Sequence, residues 1–187
     1  MSRVKIGTCS PEQELAREWY GRLVEPPVRY AFTLENGNLV FTAAQDRAVS
    51  IHPTAKPGEF TEELWKYDTA EFFVANAEAT RYLEFNLCPN GAWWACVFTG
   101  PRVKDDTAPP MPAVKTRGCI RADGTWECRA ELPVAYLEAL GMPPANCRLA
   151  AAAIQNSPDY LYLTTSEDQS GEPDFHRPAS WPPAQLL

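Results

Sequence analysis

Residues 64–102 read LWKYDTAEFFVANAEATRYLEFNLCPNGAWWACVFTGPR, and the period of this stretch decides the fold. Within 81–88, Leu83, Phe85 and Leu87 point one way, and Tyr82, Glu84, Asn86 and Cys88 point the other. A period of two predicts a strand with one face in a core. Residues 68–75 repeat the pattern: Ala70, Phe72 and Val74 share one face, and Thr69, Glu71, Phe73 and Ala75 share the other. Pro89-Asn90-Gly91 is a turn signal, because proline cannot donate to a ladder and Asn-Gly accepts positive φ. A third strand over 92–99 follows at once. The expected centre is therefore a three-stranded antiparallel meander, with Glu71, Tyr82, Glu84 and Asn86 on its polar face.

Working outward, Asn36-Gly37 and Asp123-Gly124 each join two strand-like runs, and both are type I′ hairpin candidates. Residues 47–63, with Pro53, Pro57 and Gly58, predict a long loop over the entrance to the meander. Residues 103–113 are too proline-rich for a regular element. Residues 133–140 predict a short helix, with proline near its start and Gly141 just past its end. The apolar run at 148–155 predicts a strand buried on both faces, 160–165 the last strand, and the tail from 171 an extended, proline-rich segment. Residues 11–23 predict one or two helical turns, with Ser10 as N-cap and Leu15, Trp19 and Leu23 on one face. The sum is an all-β, antiparallel, jelly-roll-like β-sandwich with one or two short helices. It forms one domain over 1–187, with 1–26 a peripheral N-terminal segment.

Composition narrows the function classes. The chain has 187 residues, 45% of them apolar, 22% charged, and a net charge of -7. The acidic balance argues against a nucleic-acid partner. No run of about 18 apolar residues is present, so no membrane partner is expected. The opening MSRVKIGTCS has no apolar signal stretch, which predicts a cytoplasmic location for the chain as given; a trimmed signal would make it periplasmic or secreted. Six cysteines stand at 9, 88, 96, 119, 128 and 147, none in a CxxC. Free thiols are the expectation, and a disulfide across either hairpin is the lesser reading.

The same set of residues, in order, carries a resemblance. Leu64-Trp65, 68–73 (DTAEFF), 82–86 (YLEFN), Pro89, Trp93-Trp94, Arg102 and 173–178 (PDFHRP) resemble the family 9 carbohydrate-binding module-like group within the DOMON-like superfamily. The resemblance spans about residues 28–187. It implies a β-sandwich and, in some members, sugar binding; DOMON relatives include haem binders.

Eight side chains are candidate ligand-binding residues: Trp65, Glu71, Tyr82, Glu84, Asn86, Trp93, Arg102 and His176. Carboxylates and an amide on neighbouring strands bind sugar hydroxyls, and Arg102 adds a donor. The alternative is a structural polar network, with Glu71 paired to Arg102, or Glu84 to Arg102 or Arg129. Pyranose rings stack on indole faces. Consecutive Trp93 and Trp94 point to opposite sides of their strand. Trp94 shares parity with Cys96 and Phe98 and is read as core, which leaves Trp93 as the platform; a bulge at the turn reverses the two. His176 is read first as a tail anchor bonded to backbone, with Phe175 plugging the core, and otherwise as a ligand contact or haem ligand. Met111 and Met142 are weaker axial candidates. His52 is read as an exposed loop residue. Asp105-Asp106 is a minor calcium candidate without EF-hand spacing. The expected function is non-catalytic binding of a small ligand, most simply a sugar, with no cofactor. A haem-binding module, or a structural or protein-interaction domain without a ligand, is the alternative. Paired Glu71 and Glu84 leave glycosidase chemistry as a minor reading.

Overall fold

The computed structural model describes residues 4–7, 12–156 and 159–187. Thirteen strands alternate along the described chain: β1 (Val4–Gly7), β2 (Gln13–Arg17), β3 (Leu23–Glu35), β4 (Asn38–Gln45), β5 (Thr69–Asn76), β6 (Tyr82–Leu87), β7 (Trp93–Gly100), β8 (Val103–Lys104), β9 (Lys115–Ile120), β10 (Trp126–Pro133), β11 (Cys147–Gln155), β12 (Leu161–Thr164) and β13 (Ala184–Leu186). The one α-helix among the described residues, α1 (Val134–Ala139), stands where the proline-to-glycine asymmetry predicts it.

Two sheets face each other as a sandwich. One has seven strands in the order β13-β1-β3-β4-β10-β9, with β2 also paired to β3. The other has six, in the order β12-β11-β5-β6-β7-β8. Pairing is antiparallel except around β1, which runs parallel to both β13 and β3. The expected meander is β5-β6-β7, with Phe72 opposite Phe85 and Leu87 opposite Trp93.

The aliphatic face of the meander fills the core. Phe72 is fully buried, stacked on Phe85 at 5.0 Å and in contact with Phe32 and Phe41 from the seven-stranded sheet at 6.0 and 5.0 Å. Each such ring contributes roughly 1.5–3 kcal/mol by burial. The opposite face of β5-β6-β7 is also buried. Trp19, the loop before β5 and the segment around Phe175 and Trp181 fold over it and make a second apolar cluster with Phe73, Tyr82, Trp94 and Phe98.

The N-terminal segment departs from expectation. It is not peripheral: Val4, Ile6 and Leu15 lie in the core, and Trp19 in the second cluster. Residues 13–17 form a strand, not helical turns; Ser10 and Pro11 lie outside the described residues. The spacing of Leu15, Trp19 and Leu23 by four puts them on one face of a strand as well as of a helix, so it does not discriminate the two periods. Partnership with β3 selects the strand.

At Asp123-Gly124 only the glycine has positive φ, 88°, and its N–H donates to the Arg121 carbonyl at 2.9 Å. The hairpin is thus a type I turn closed by a left-handed glycine, not type I′. The tail is not merely extended, since β13 pairs with β1. At the sandwich edge, a Cβ on Gly118 would meet the Pro89 carbonyl oxygen at 2.2 Å, so only glycine lets β9 approach the β6–β7 turn. Cys88, Cys96, Cys119, Cys128 and Cys147 are free thiols; Cys9 lies outside the described residues. Register explains one pair: Cys119 faces Glu127, and Cys128 faces Gly118. Among the described residues no helix is long and apolar enough to cross a membrane.

Candidate functional site

A cleft of about 450 Å³ opens on the outer face of the six-stranded sheet. Its floor comes from β5 and β6. Asn86 pairs with Glu71 and Glu84 with Phe73, so the two carboxyls are diagonal neighbours on one face. One wall is aromatic. Trp65 sits on a single 3-10 turn, Leu64–Lys66, and meets Trp94 of β7 edge to face at 5.1 Å. The Trp94 Nε1–H donates to Glu62 Oε2 at 2.7 Å and fixes the indole plane. Ile154, Tyr162, Phe73 and Phe98 continue the apolar lining. The opposite wall is the tail segment 173–176 with Arg102 and Lys104.

The polar groups form a directed chain. Arg102 stands in a left-handed conformation, φ 59°, and its backbone N–H donates to the Tyr82 hydroxyl at 3.1 Å. Burial pushes the Tyr82 phenol up to about 12, and its hydroxyl shares a hydrogen bond with His176 Nδ1 at 2.6 Å. Burial, with help from Arg102, lowers His176 to about 4 against the pull of Asp174. That shift favours the neutral ring near pH 7, and its Nε2 stands 3.7 Å from Glu84 Oε2. The Asp174 carboxylate Oδ1 accepts from Arg102 Nη2 at 2.8 Å and from the His176 N–H at 2.9 Å.

Neither Glu71 nor Glu84 is ion-paired to an arginine among the described residues; Arg102 pairs with Asp174 instead. Glu84 Oε1 accepts from Asn86 Nδ2 at 3.1 Å. Burial raises Glu84 to about 7, against the lowering effects of that hydrogen bond and of Arg102. Burial first, and the Glu84 charge second, raise Glu71 well above the carboxylate range. Glu71 Oε1 has no hydrogen-bond partner among the described residues. The two carboxyls titrate as a pair that retains protons near neutrality.

The structure brings Trp65, Glu71, Glu84, Arg102 and His176 together around the cleft. Tyr82 and Asn86 are fully buried beneath it and position His176 and Glu84. Trp93 is on the other face. It stacks on Phe85 at 5.7 Å and packs against the sandwich core. Register is the reason: Trp94 pairs with Asn86, so Trp94, not Trp93, shares the face of the carboxyls. The expected Arg102 and Arg129 partners of the carboxyls are engaged elsewhere, Arg102 with Asp174 and Arg129 with Glu35 and Glu131. His176 anchors the tail as expected, but through Tyr82 and Asp174 side chains. Phe73, Phe98 and Asp174 also line the cleft; parity with Glu71, parity with Trp94 and membership of the PDFH motif are their respective signals in the sequence.

Of the axial-ligand candidates, Met142 is fully buried in the sandwich core, and His176 Nδ1 is engaged by the Tyr82 hydroxyl. His52 is half-buried in its loop and meets Tyr67 edge to face at 4.8 Å. Asp105 is held by Arg81 at 2.6 Å. Among the described residues no group of three or more His, Cys, Asp or Glu is placed to hold a metal.

The fold is that of a family 9 carbohydrate-binding module. Two Caldicellulosiruptor kristjanssonii family 9 module structures, one in complex with cellotriose and one with glucose, superpose with TM-scores of 0.60 and 0.63 at 11% identity each; they cover 99% and 100% of this chain, and 93% and 96% of those chains. A Bacteroides uniformis protein provisionally described as carbohydrate-binding superposes at TM-score 0.75 and 16% identity, covering 100% of this chain and 98% of its own. The DOMON side of the sequence resemblance has no counterpart among these three structures. No family model matches the chain. The Danio rerio UPF0462 protein C4orf33 homolog is 33% identical over 159 residues, 81% of this chain and 76% of that protein. The Mus musculus homolog is 32% identical over 133 residues and the Homo sapiens protein 31% over 131. The chain belongs to the UPF0462 family. Its matches span 64% of the mouse protein and 61% of the human one, a little under two thirds of their length.

Proposed function

We propose that the cleft binds a carbohydrate and performs no chemistry on it. The observation that carries this reading is the Trp65–Trp94 wall standing beside the buried carboxyls Glu71 and Glu84. A pyranose has an apolar C–H face for an indole and a rim of hydroxyls for acceptors, and the cleft offers both. The non-catalytic part is supported by the matching solved structures, which are described as carbohydrate-binding proteins or modules. Glucose and cellotriose, found in the two family 9 complexes, are the first ligands to try.

The test is a titration followed by intrinsic tryptophan fluorescence and by calorimetry. Saturable binding is the expected result. Trp65 is 36% exposed, so Trp65→Ala leaves folding nearly unchanged. It weakens binding about tenfold through lost stacking area. Cellotriose is recovered intact after incubation. Absence of saturation with any sugar, or cleavage of cellotriose, overturns the proposal.

A further inference from the structure

We infer that the preferred ligand of this cleft is an amino sugar, a pyranose carrying a free ammonium group, with that ammonium seated against Glu71 and Glu84. The inference rests on the sugar-binding reading of the same cleft and specifies its ligand class.

Donors and acceptors on the floor do not balance. Glu71 is 2% exposed, lines the cleft, and has Oε1 without a partner among the described residues. Glu84 is 6% exposed; one oxygen takes a single N–H from Asn86, and the other stands 3.7 Å from the His176 ring. The cations near them are committed or distant. Arg102 is held by Asp174, and Lys104 is exposed at the rim. A buried acceptor without a donor is costly, and two adjacent buried carboxyls repel one another when ionised.

A neutral hydroxyl satisfies one oxygen and leaves that repulsion in place. An ammonium supplies three donors and the missing positive charge, and its bonds to carboxylate are charge-assisted. It substitutes for protons that burial otherwise keeps on the pair. A carboxyl that becomes a carboxylate paired with the ammonium gives up its proton to solvent, so binding releases protons. The aromatic wall agrees with this ligand, because the ring that carries the amine still has the exposed Trp65 indole to stack on.

Calorimetric titration of the full chain with glucose, glucosamine, N-acetylglucosamine and glucuronate at neutral pH tests the inference. Glucosamine is expected to bind about tenfold more tightly than glucose, the difference between charged and neutral hydrogen bonds. N-acetylation removes the charge and cancels the gain. Repeating the glucosamine titration in two buffers of different ionisation enthalpy is expected to show proton release. Glu71→Gln is expected to bring the glucosamine-to-glucose ratio close to one. Should that variant fail to fold, the wild-type series still decides. Equal affinities for glucose and glucosamine, or tighter binding of glucuronate, overturn the inference while leaving sugar binding intact. Failure of all four sugars to bind overturns both.

Discussion

The two sheets each carry carboxylates on an outward face, and the molecule treats them in opposite ways. On the seven-stranded sheet, Glu35 accepts from Arg129 Nη2 at 2.8 Å and from the Thr33 hydroxyl at 2.6 Å, and Glu131 accepts from Arg129 Nε at 3.1 Å. The hydrogen bond from Arg129 leads the effects that hold Glu35 below the usual carboxylate range. That face also has a concavity, about 710 Å³, lined by Arg29, Arg117, Arg129 and Glu127 among others, where arginines and carboxylates neutralise one another. On the six-stranded sheet, neither Glu71 nor Glu84 is ion-paired to a lysine or arginine among the described residues, and burial raises both. The difference comes from what lies on top. The loop before β5, Trp19 and the tail cover the second face and strip water from its carboxyls, whereas the first stays wet. A solvated, paired charge is part of the structure; a buried, unpaired one is available to a ligand. The larger hollow is therefore not the better candidate site.

The largest effect that tests this contrast is on pH dependence. Glu84 in the folded protein lies at about 7, above its ordinary 4.5. A carboxyl raised in this way stabilises fully below about 4.5, and the contribution is lost as pH rises through about 7. Wild type is expected to lose stability relative to Glu84→Gln, on the order of 2–3 kcal/mol, between those two values. Urea denaturation of both proteins at each pH measures it. A flat difference would mean that Glu84 is solvated like its counterparts on the other sheet.

Glu35→Gln probes the paired face and has the smaller cost, less than about 1 kcal/mol at neutral pH and less again in high salt. Because the pKa of Glu35 is lowered, its contribution is present at neutrality and lost as pH falls below 4.5. Thermal melts at low and high salt measure it. A cost as large as that at Glu84 would erase the distinction between the faces.

The smallest expected effect is none. Cys119 is exposed in the seven-stranded sheet's concavity, while burial raises the thiols of Cys88, to about 11, and Cys147, to about 12. Iodoacetamide is expected to label Cys119 ahead of these two, as peptide mapping would show, and to leave sugar affinity unchanged. Loss of affinity on labelling Cys119 would move the ligand to the other sheet.

Much of the six-stranded sheet was legible because its information is local. Leu83, Phe85 and Leu87 declare a buried face by alternation, and Pro89-Asn90-Gly91 and Asn36-Gly37 declare turns by the φ values they accept. Glu71, Glu84 and Asn86 could be put on one face for the same reason. The tryptophans show where this stops. Parity alone assigns Trp93 and Trp94 to opposite faces, but which face is which depends on register across the β6–β7 turn, and there the assignment was reversed. The helical reading of the segment that holds β2 fails for a related reason, because the spacing of Leu15 and Trp19 suits either period and only pairing with β3 decides.

By itself, then, the chain determined its strands, its turns and which side chains travel together, because these depend on steric and periodic rules between near neighbours. The tertiary structure alone decided that Trp94 walls the cleft, that the Pro173–His176 segment lines its other side, that Arg102 goes to Asp174 and that Glu71 Oε1 is left without a hydrogen-bond partner among the described residues. Those outcomes join residues as far apart as 102 and 174. Contacts at that separation depend on how the covering segments cross the sheet and on which charges they bring with them, and no local pattern encodes either.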